Sequence, residues 1–374
     1  MVSTMINLKN VHILSENDYA RTMEHIVLPA LAQVRTEGWM EPATHKDLRE
    51  LPIPDGSHNG MLHYVSYTHS KSAEDKTPPQ QEQHARQTRQ TEDGSRQRDG
   101  RPGIVISHGI TGIIGHYAEL SYYFFQAGFD VWIMEHRGHG LSPHDVSDPS
   151  VIWIDDWRRY VLDLAKFTRE VVQPHTAGAL GLFAHSMGGG IGISLAQQYP
   201  ELFSRIVLSS PMVMPQTAGF PAPLARAAAR VICMMGKGKN RIFTQKPFSP
   251  VLDAESVRGK SPARAQWGFD ARLADVHYQT SAPAYQWLAE AFALSRSVLE
   301  PENCARIQAP ILLFKAENDT SVRLDAIEDF VDTVLSADGD IERVLIPHAP
   351  HTLNECHNDI FAPFVEKTLE FLSV

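Results

Sequence analysis

Ser186 lies in the stretch Ala184-His185-Ser186-Met187-Gly188, where an apolar run over 178–185 meets a glycine-rich segment that continues to Ala196. A serine hydroxyl is a weak nucleophile. To react, it must be exposed on a tight turn, stand beside a base and face backbone N–H groups aimed at a developing oxyanion. A strand, a sharp turn and a helix supply that geometry when small residues flank the serine two positions before and after, the G-x-S-x-G pattern. Here Ala184 replaces the first glycine at the cost of one methyl, and Gly188 keeps the second. The motif alone also fits a serine that merely caps a helix. Chain order separates the two readings: an acid, Asp319, and a histidine, His351, follow in turn, each after a run that reads as a strand. In such a set the acid accepts the histidine Nδ1 proton and fixes its tautomer, while the histidine takes the serine proton. Glu317 and His348 are the local rivals, and with 18 histidines in the chain no single one is telling by itself.

These side chains need a sheet to hold them. Gly103–Ser107 reads as a short buried strand leading into His108-Gly109-Ile110-Thr111-Gly112, a turn-rich loop ahead of an amphipathic helix that begins near His116. On an elbow of this type one oxyanion donor is the N–H of the residue after the nucleophile, Met187, and the other comes from the loop, here Ile110, with His108, Gly109 and Gly188 in support. The strand at 130–136 runs into 137–142, whose glycines allow a sharp loop that is expected to brace the site. Trp157, Tyr160, Val161, Leu164, Phe167 and Val171 mark one face of a long helix. A strand over 309–316 ends in the turn that carries Asp319, and Leu324, Ile327, Phe330, Val331 and Leu335 pattern the helix behind it. The last strand, 343–347, precedes His351 and a C-terminal helix with Phe361, Phe364, Val365, Leu369 and Leu372. Upstream, 17–37 has helical spacing interrupted by Pro29, and 61–68 alternates as a strand. The polar, mixed-charge stretch 69–102 lacks the apolar surface to order itself and is expected to be a disordered insertion between strands.

The loop His108-Gly109, the run Glu-His-Arg-Gly-His-Gly-Leu-Ser at 135–142 and the elbow around Ser186 resemble the lysophospholipase and monoacylglycerol lipase group of α/β-hydrolases, nearest to the bacterial lysophospholipases. The resemblance extends through His116-Tyr-Ala-Glu-Leu120 and Ser209-Ser-Pro-Met212 and covers most of the chain outside its start and the polar stretch. It implies an α/β fold with a mostly parallel central sheet, helices on both faces and a helical cap inserted between strands six and seven. The implied division is 1–60 as an N-terminal helical appendage, 61–213 as the first part of the core, 214–304 as the cap and 305–374 as the second part of the core. Some relatives place the acid after strand six, where this chain has Ser209 and Ser210, which favours Asp319. The family base lies two residues after a small alanine, a spacing that Ala349 and His351 match and His348 does not. The implied activity is that of a serine ester hydrolase releasing a fatty acid from a lysophospholipid or monoacylglycerol, with no metal or organic cofactor. A small-ester carboxylesterase, a thioesterase or an acyltransferase would share every one of these residues; a ligand-binding protein without activity would not need them.

Composition sets the outer limits. Of the 374 residues, 43% are hydrophobic, enough for a large core. A net charge of −10 argues against a nucleic-acid partner, which would require a basic face. Three scattered cysteines, Cys233, Cys304 and Cys356, form neither a disulfide framework nor a metal pattern. No signal-like start or long apolar run is present, so a cytoplasmic protein without a membrane span is expected, peripheral at the inner face of a membrane. For that contact the cap offers an apolar stretch over 224–235 with Arg226 and Arg230, followed by Lys237, Lys239 and Arg241. An ordinary cap helix packed on its neighbours fits the same stretch. Oligomeric state is not legible.

Overall fold

Gly103–Ser107 carries no charged side chain and is buried at every position, as a strand covered on both faces must be. It forms β3 of a computed structural model that describes residues 8–52, 58, 60–69, 100–255 and 257–374. The expected disordered insertion therefore lies, apart from its ends, outside the described residues.

In chain order, α1 (Tyr19–Thr22) and α2 (Leu28–Val34) are joined by a π-helical turn, Met23–Val27. Pro29 removes a backbone donor just after that wider turn, so the helix is perturbed there and not broken. Strands β1 (Arg35–Met40) and β2 (Leu62–Tyr67) lead to β3, then α3 (Ala118–Ala127), β4 (Asp130–Met134), the short β5 (Val151–Ile152) and α4 (Arg158–Phe167). Next come β6 (Leu180–His185), α5 (Met187–Gln198) and β7 (Arg205–Ser209). The segment after β7 holds α6 (Ala222–Ile232), α7 (Pro262–Ala274), the short β8 (Ala282–Pro283), α8 (Tyr285–Leu299) and α9 (Pro301–Cys304). Finally β9 (Ile311–Ala316), α10 (Leu324–Ser336), β10 (Ile341–Ile346) and α11 (Asn358–Leu372) close the chain.

Eight strands form one sheet in the order β1-β2-β4-β3-β6-β7-β9-β10, with β5 and β8 paired separately. Both partners of β2 run antiparallel to it, and every other pair in the large sheet is parallel. This is the α/β-hydrolase arrangement, and its parallel strands read as near-continuous apolar runs because helices cover both faces. One hydrophobic cluster packs α4, α5, α8 and α10 on one side, and a second packs α3, α11 and the N-terminal helix on the other.

Two assignments made from sequence are redrawn. The helical reading of 17–37 runs too far: the helix ends at Val34 and the next six residues are sheet strand β1. Within it Tyr19, Met23, Val27 and Leu31 are buried as the spacing requires, but Ile26 faces outward. The cap range 214–304 also joins two different things. Trp287, Ala291, Leu294 and Val298 of α8 belong to the central cluster against α5, so 285–304 is part of the helical layer on the sheet and only the preceding segment stands above it.

Candidate active site

β6 ends at His185, and the chain reverses into α5 through Ser186, whose φ of 53° and ψ of −120° lie in a region that L residues rarely occupy. Such strain persists only where the surroundings enforce it. Here Ser186 donates its N–H to the Ser209 carbonyl at 3.1 Å, and its own carbonyl accepts from Met212 at 2.8 Å and from Gly189 at 2.8 Å. The glycines that follow are demanded by space. A Cβ on Gly188 would stand 2.2 Å from the Ser107 carbonyl oxygen, and one on Gly189 2.7 Å from Pro211 Cα. Ala184 is fully buried, and a Cβ on Gly192 of α5 would stand 3.1 Å from the Ala184 Cβ, so the glycine on the helix leaves room for the methyl that replaces the first glycine of the motif.

The structure brings together the three residues picked from chain order. His351 Nε2 lies 2.8 Å from Ser186 Oγ, and His351 Nδ1 lies 2.6 Å from Asp319 Oδ2. Because a carboxylate can only accept, Nδ1 carries the proton and Nε2 is left to accept from the serine hydroxyl. Asp319 is fully buried at its side chain, and its other oxygen accepts from the backbone N–H of Ser321 and Val322 at 2.8 and 3.1 Å. The rivals are occupied elsewhere: Glu317 Oε2 accepts from the His348 backbone N–H at 2.8 Å, and the His348 ring is exposed. His185, beside the serine, is buried and pushed down to about 3, chiefly by desolvation and then by the neighbouring His351. It is neutral at ordinary pH, with Nδ1 donating to the Ser209 carbonyl.

The loop after β3 is held from behind. His108 Nδ1 donates to the Gly109 carbonyl at 2.8 Å, while His108 Nε2 accepts from the His136 N–H at 2.9 Å. Both bonds suit a neutral ring, and desolvation by burial lowers the His108 pKa accordingly. Gly112 N–H also donates to the Gly109 carbonyl at 3.0 Å. In a trans peptide the C=O and the following N–H point in opposite directions. Two donors fixing the Gly109 carbonyl therefore fix the direction of the Ile110 N–H. Gly109 itself packs on the elbow: a Cβ there would sit 3.0 Å from Ser186 Cβ. Met187 is the first residue of α5, so its N–H has no acceptor within the helix.

The 137–142 loop braces this frame, as its sequence suggests. Arg137 binds Asp163 through two bonds of 2.6 and 3.2 Å, and Ser142 Oγ donates to the Glu135 carbonyl at 2.6 Å. The sequence reading missed one feature, a cavity of about 190 Å³ beneath α7 whose wall includes Gly109, His185 and Thr352, immediate neighbours of the site residues. Its charged groups, Lys260, Arg272 and Glu355, come from separate stretches, and no local spacing could have joined them. No group of residues suited to a metal ion occurs among the described residues.

The family model Hydrolase_4, described as serine aminopeptidase, S33, matches residues 99–357. Lysophospholipase L2 of Escherichia coli K12 is 30% identical over 227 residues, covering 59% of this chain and 64% of that protein. The chain thus aligns with less than two thirds of that relative's length. A monoacylglycerol lipase of Mycolicibacterium smegmatis is 28% identical over 243 residues, covering 64% of this chain and 78% of its own. Among solved structures, a carboxyl esterase from Bacillus coagulans superposes with a TM-score of 0.63 at 15% identity, over 91% of this chain and 99% of the esterase. A soluble variant of monoglyceride lipase from Saccharomyces cerevisiae gives 0.59 at 17% identity, over 89% and 97%. At these identities the two structures speak for the fold alone.

Proposed function

We propose that this chain, which belongs to the serine aminopeptidase S33 (Hydrolase_4) family, is a carboxylic ester hydrolase that releases a fatty acid from a lysophospholipid or monoacylglycerol. The observation that carries the reading is the continuous hydrogen-bonded chain from Ser186 Oγ through His351 to buried Asp319, at 2.8 and 2.6 Å. The names of the E. coli and Mycolicibacterium relatives support the lipid substrate class.

On this reading Ser186 Oγ attacks the ester carbonyl carbon as its proton passes to His351 Nε2. The resulting imidazolium is stabilised by Asp319, which stays ionised. The Ile110 and Met187 N–H groups hold the oxyanion, and the pinned Gly109 carbonyl keeps the first of them from reorienting during the reaction. Collapse of the tetrahedral intermediate breaks the bond to the leaving oxygen, which takes the proton from His351 Nε2. A water then gives its proton to His351 and attacks the acyl-serine, and the fatty acid leaves as Ser186 recovers its hydrogen.

The test is fatty acid release from a lysophospholipid, a monoacylglycerol and a short-chain ester by the native protein and by Ser186→Ala. The account expects one or both lipids to be cleaved in preference to the short ester and the variant to be silent on all three. Preference for the short ester would move the chain to the small-ester carboxylesterases without changing the mechanism, and an active variant would remove Ser186 as nucleophile.

The cap is proposed to contact an anionic membrane surface. Leu224, Val231, Met234 and Met235 are exposed together with Arg230 and Lys237, although α6 also packs against α8. Among the described residues no helix is long and apolar enough to cross a membrane, so the proposed location is peripheral, at the cytoplasmic leaflet where anionic lipid concentrates.

A further inference from the structure

The cavity beneath α7 has an unusual lining for an enzyme of lipid esters. Lys260 Nζ and Glu355 form an ion pair at 2.8 Å, which leaves Arg272 as the charge without a carboxylate partner among the described residues. Its guanidinium is partly satisfied by neutral groups: Nε donates to the Tyr278 carbonyl at 3.2 Å and one Nη to the Thr280 carbonyl, with the Phe248 ring 4.9 Å away. The other Nη has no hydrogen-bond partner among the described residues. Burial presses the Arg272 pKa below its ordinary value, with only Glu355 acting in the opposite direction. The histidines of the cavity add no positive charge at neutral pH, since desolvation pushes His116 down to about 4 and His185 to about 3. Asn354 supplies an independent sign that a hydrogen-bond donor belongs here. It is 7% exposed and lines the cavity, its amide nitrogen donates to the His116 carbonyl, and its Oδ1 is buried without a partner.

An acyl chain is a poor occupant for such a space. It would strip water from a guanidinium, an ion pair and an orphan amide oxygen while returning no hydrogen bond. A lysophospholipid headgroup would return them, because its phosphodiester accepts from the free Nη of Arg272 in a charge-assisted pair and its free glycerol hydroxyl can donate to Asn354 Oδ1. Position agrees with chemistry. Gly109 and Ile110 of the oxyanion loop form one wall, and Thr352, next to the residue that would protonate the leaving alcohol, forms another.

We propose that this cavity is an anion subsite for the alcohol side of the ester, in which Arg272 binds the phosphodiester of a lysophospholipid, making it the residue that favours lysophospholipid over uncharged monoacylglycerol. Arg272 is a specificity residue, separate from the reacting groups. The proposal rests on the ester-hydrolase reading above, and its test is arranged so that the two can fail separately.

The experiment compares kcat/KM for 1-palmitoyl lysophosphatidylethanolamine, 1-palmitoylglycerol and a short p-nitrophenyl ester in the native protein, Arg272→Gln and Arg272→Lys, and measures calorimetric binding of sn-glycerol 3-phosphate to each. Arg272→Gln is expected to lower kcat/KM for the lysophospholipid at least tenfold, mainly through KM, while the two uncharged esters change less than twofold. Arg272→Lys, which keeps the charge without the planar fork, should fall between. Glycerol 3-phosphate should bind the native protein and lose that binding in Arg272→Gln, whereas glycerol should bind neither. An equal fall on all three esters would mean that Arg272 only supports the cap, and undiminished lysophospholipid cleavage would mean that the anion sits elsewhere; either overturns the proposal. If the native protein cleaved no ester, the hydrolase reading would fail, and glycerol 3-phosphate binding would still decide whether the anion subsite exists.

Discussion

His108 shows how much a residue outside the reacting set can determine. Its two ring nitrogens are both used, one on the Gly109 carbonyl and one on the His136 N–H, so it orients the Ile110 peptide without approaching Ser186 itself. His108→Ala should therefore act on the transition state more than on substrate binding. A fall in kcat of about 100-fold with KM changed less than threefold is expected, on the scale of losing one oxyanion donor; steady-state kinetics on the short ester measure it, and a loss confined to KM would contradict it. At this scale the sequence was most informative. Strand-turn-helix order singled out Ser186, Asp319 and His351, and the structure draws all three into hydrogen-bond contact. The sequence could not say why Glu317 and His348 are set aside: they bind each other at the surface. Nor could it find Arg272, Glu355 and Asn354, because a pocket assembled from distant turns leaves no local period.

Elements rather than residues decide the stability of the frame. α8 packs on the central cluster, yet it carries Glu290 on the way, with its carboxylate accepting from the Trp157 N–H at 3.2 Å and from Gln286 at 3.0 Å. Desolvation by burial is the largest influence on this group and the negative Asp156 adds to it; together they push Glu290 up to about 7. The sign follows. The folded protein holds this proton more tightly than the unfolded chain, whose glutamate titrates near ~4.3, so the contribution is present at low pH and lost as pH rises to about 7. Glu290→Gln keeps the acceptor and removes the titration. Relative to the native protein it should gain on the order of 2 kcal/mol of stability between pH 5 and pH 8, read from urea unfolding at both values; parallel changes in the two proteins would contradict the assignment. Element type was legible where apolar periods were long, as in β3, α10 and α11. It failed at β1, where a polar edge strand, Arg35–Met40, follows a helix without a break signal, and at α8, whose position between strands six and seven suggested cap although its apolar face belongs to the core.

Across the whole molecule, the basic run in the cap proves to be composite. Lys239 donates to the Asp145 carbonyl and stands over Trp153, and Arg241 binds Asp148, Ser150 and Ser281, so these two tether the cap to the core. Arg230 and Lys237 are exposed beside the apolar residues without such a tether among the described residues, a distinction that sequence proximity hides. Membrane contact should accordingly depend on apolar side chains as well as charge. Met234→Ser combined with Met235→Ser should lower binding to anionic vesicles at least fivefold, measured by sedimentation, with short-ester hydrolysis unchanged; equal binding would remove the cap from the interface. The acidic chain as a whole, at −10, would be repelled from such a surface unless a local face of this kind met it.

The most direct measurement is to label the native protein with a fluorophosphonate, locate the adduct by peptide mass spectrometry and follow ester hydrolysis as labelling proceeds. The account predicts a single adduct, on Ser186, with activity falling in proportion to its occupancy and no adduct on Ser186→Ala. An adduct on another residue, or full hydrolysis by completely labelled protein, would contradict it.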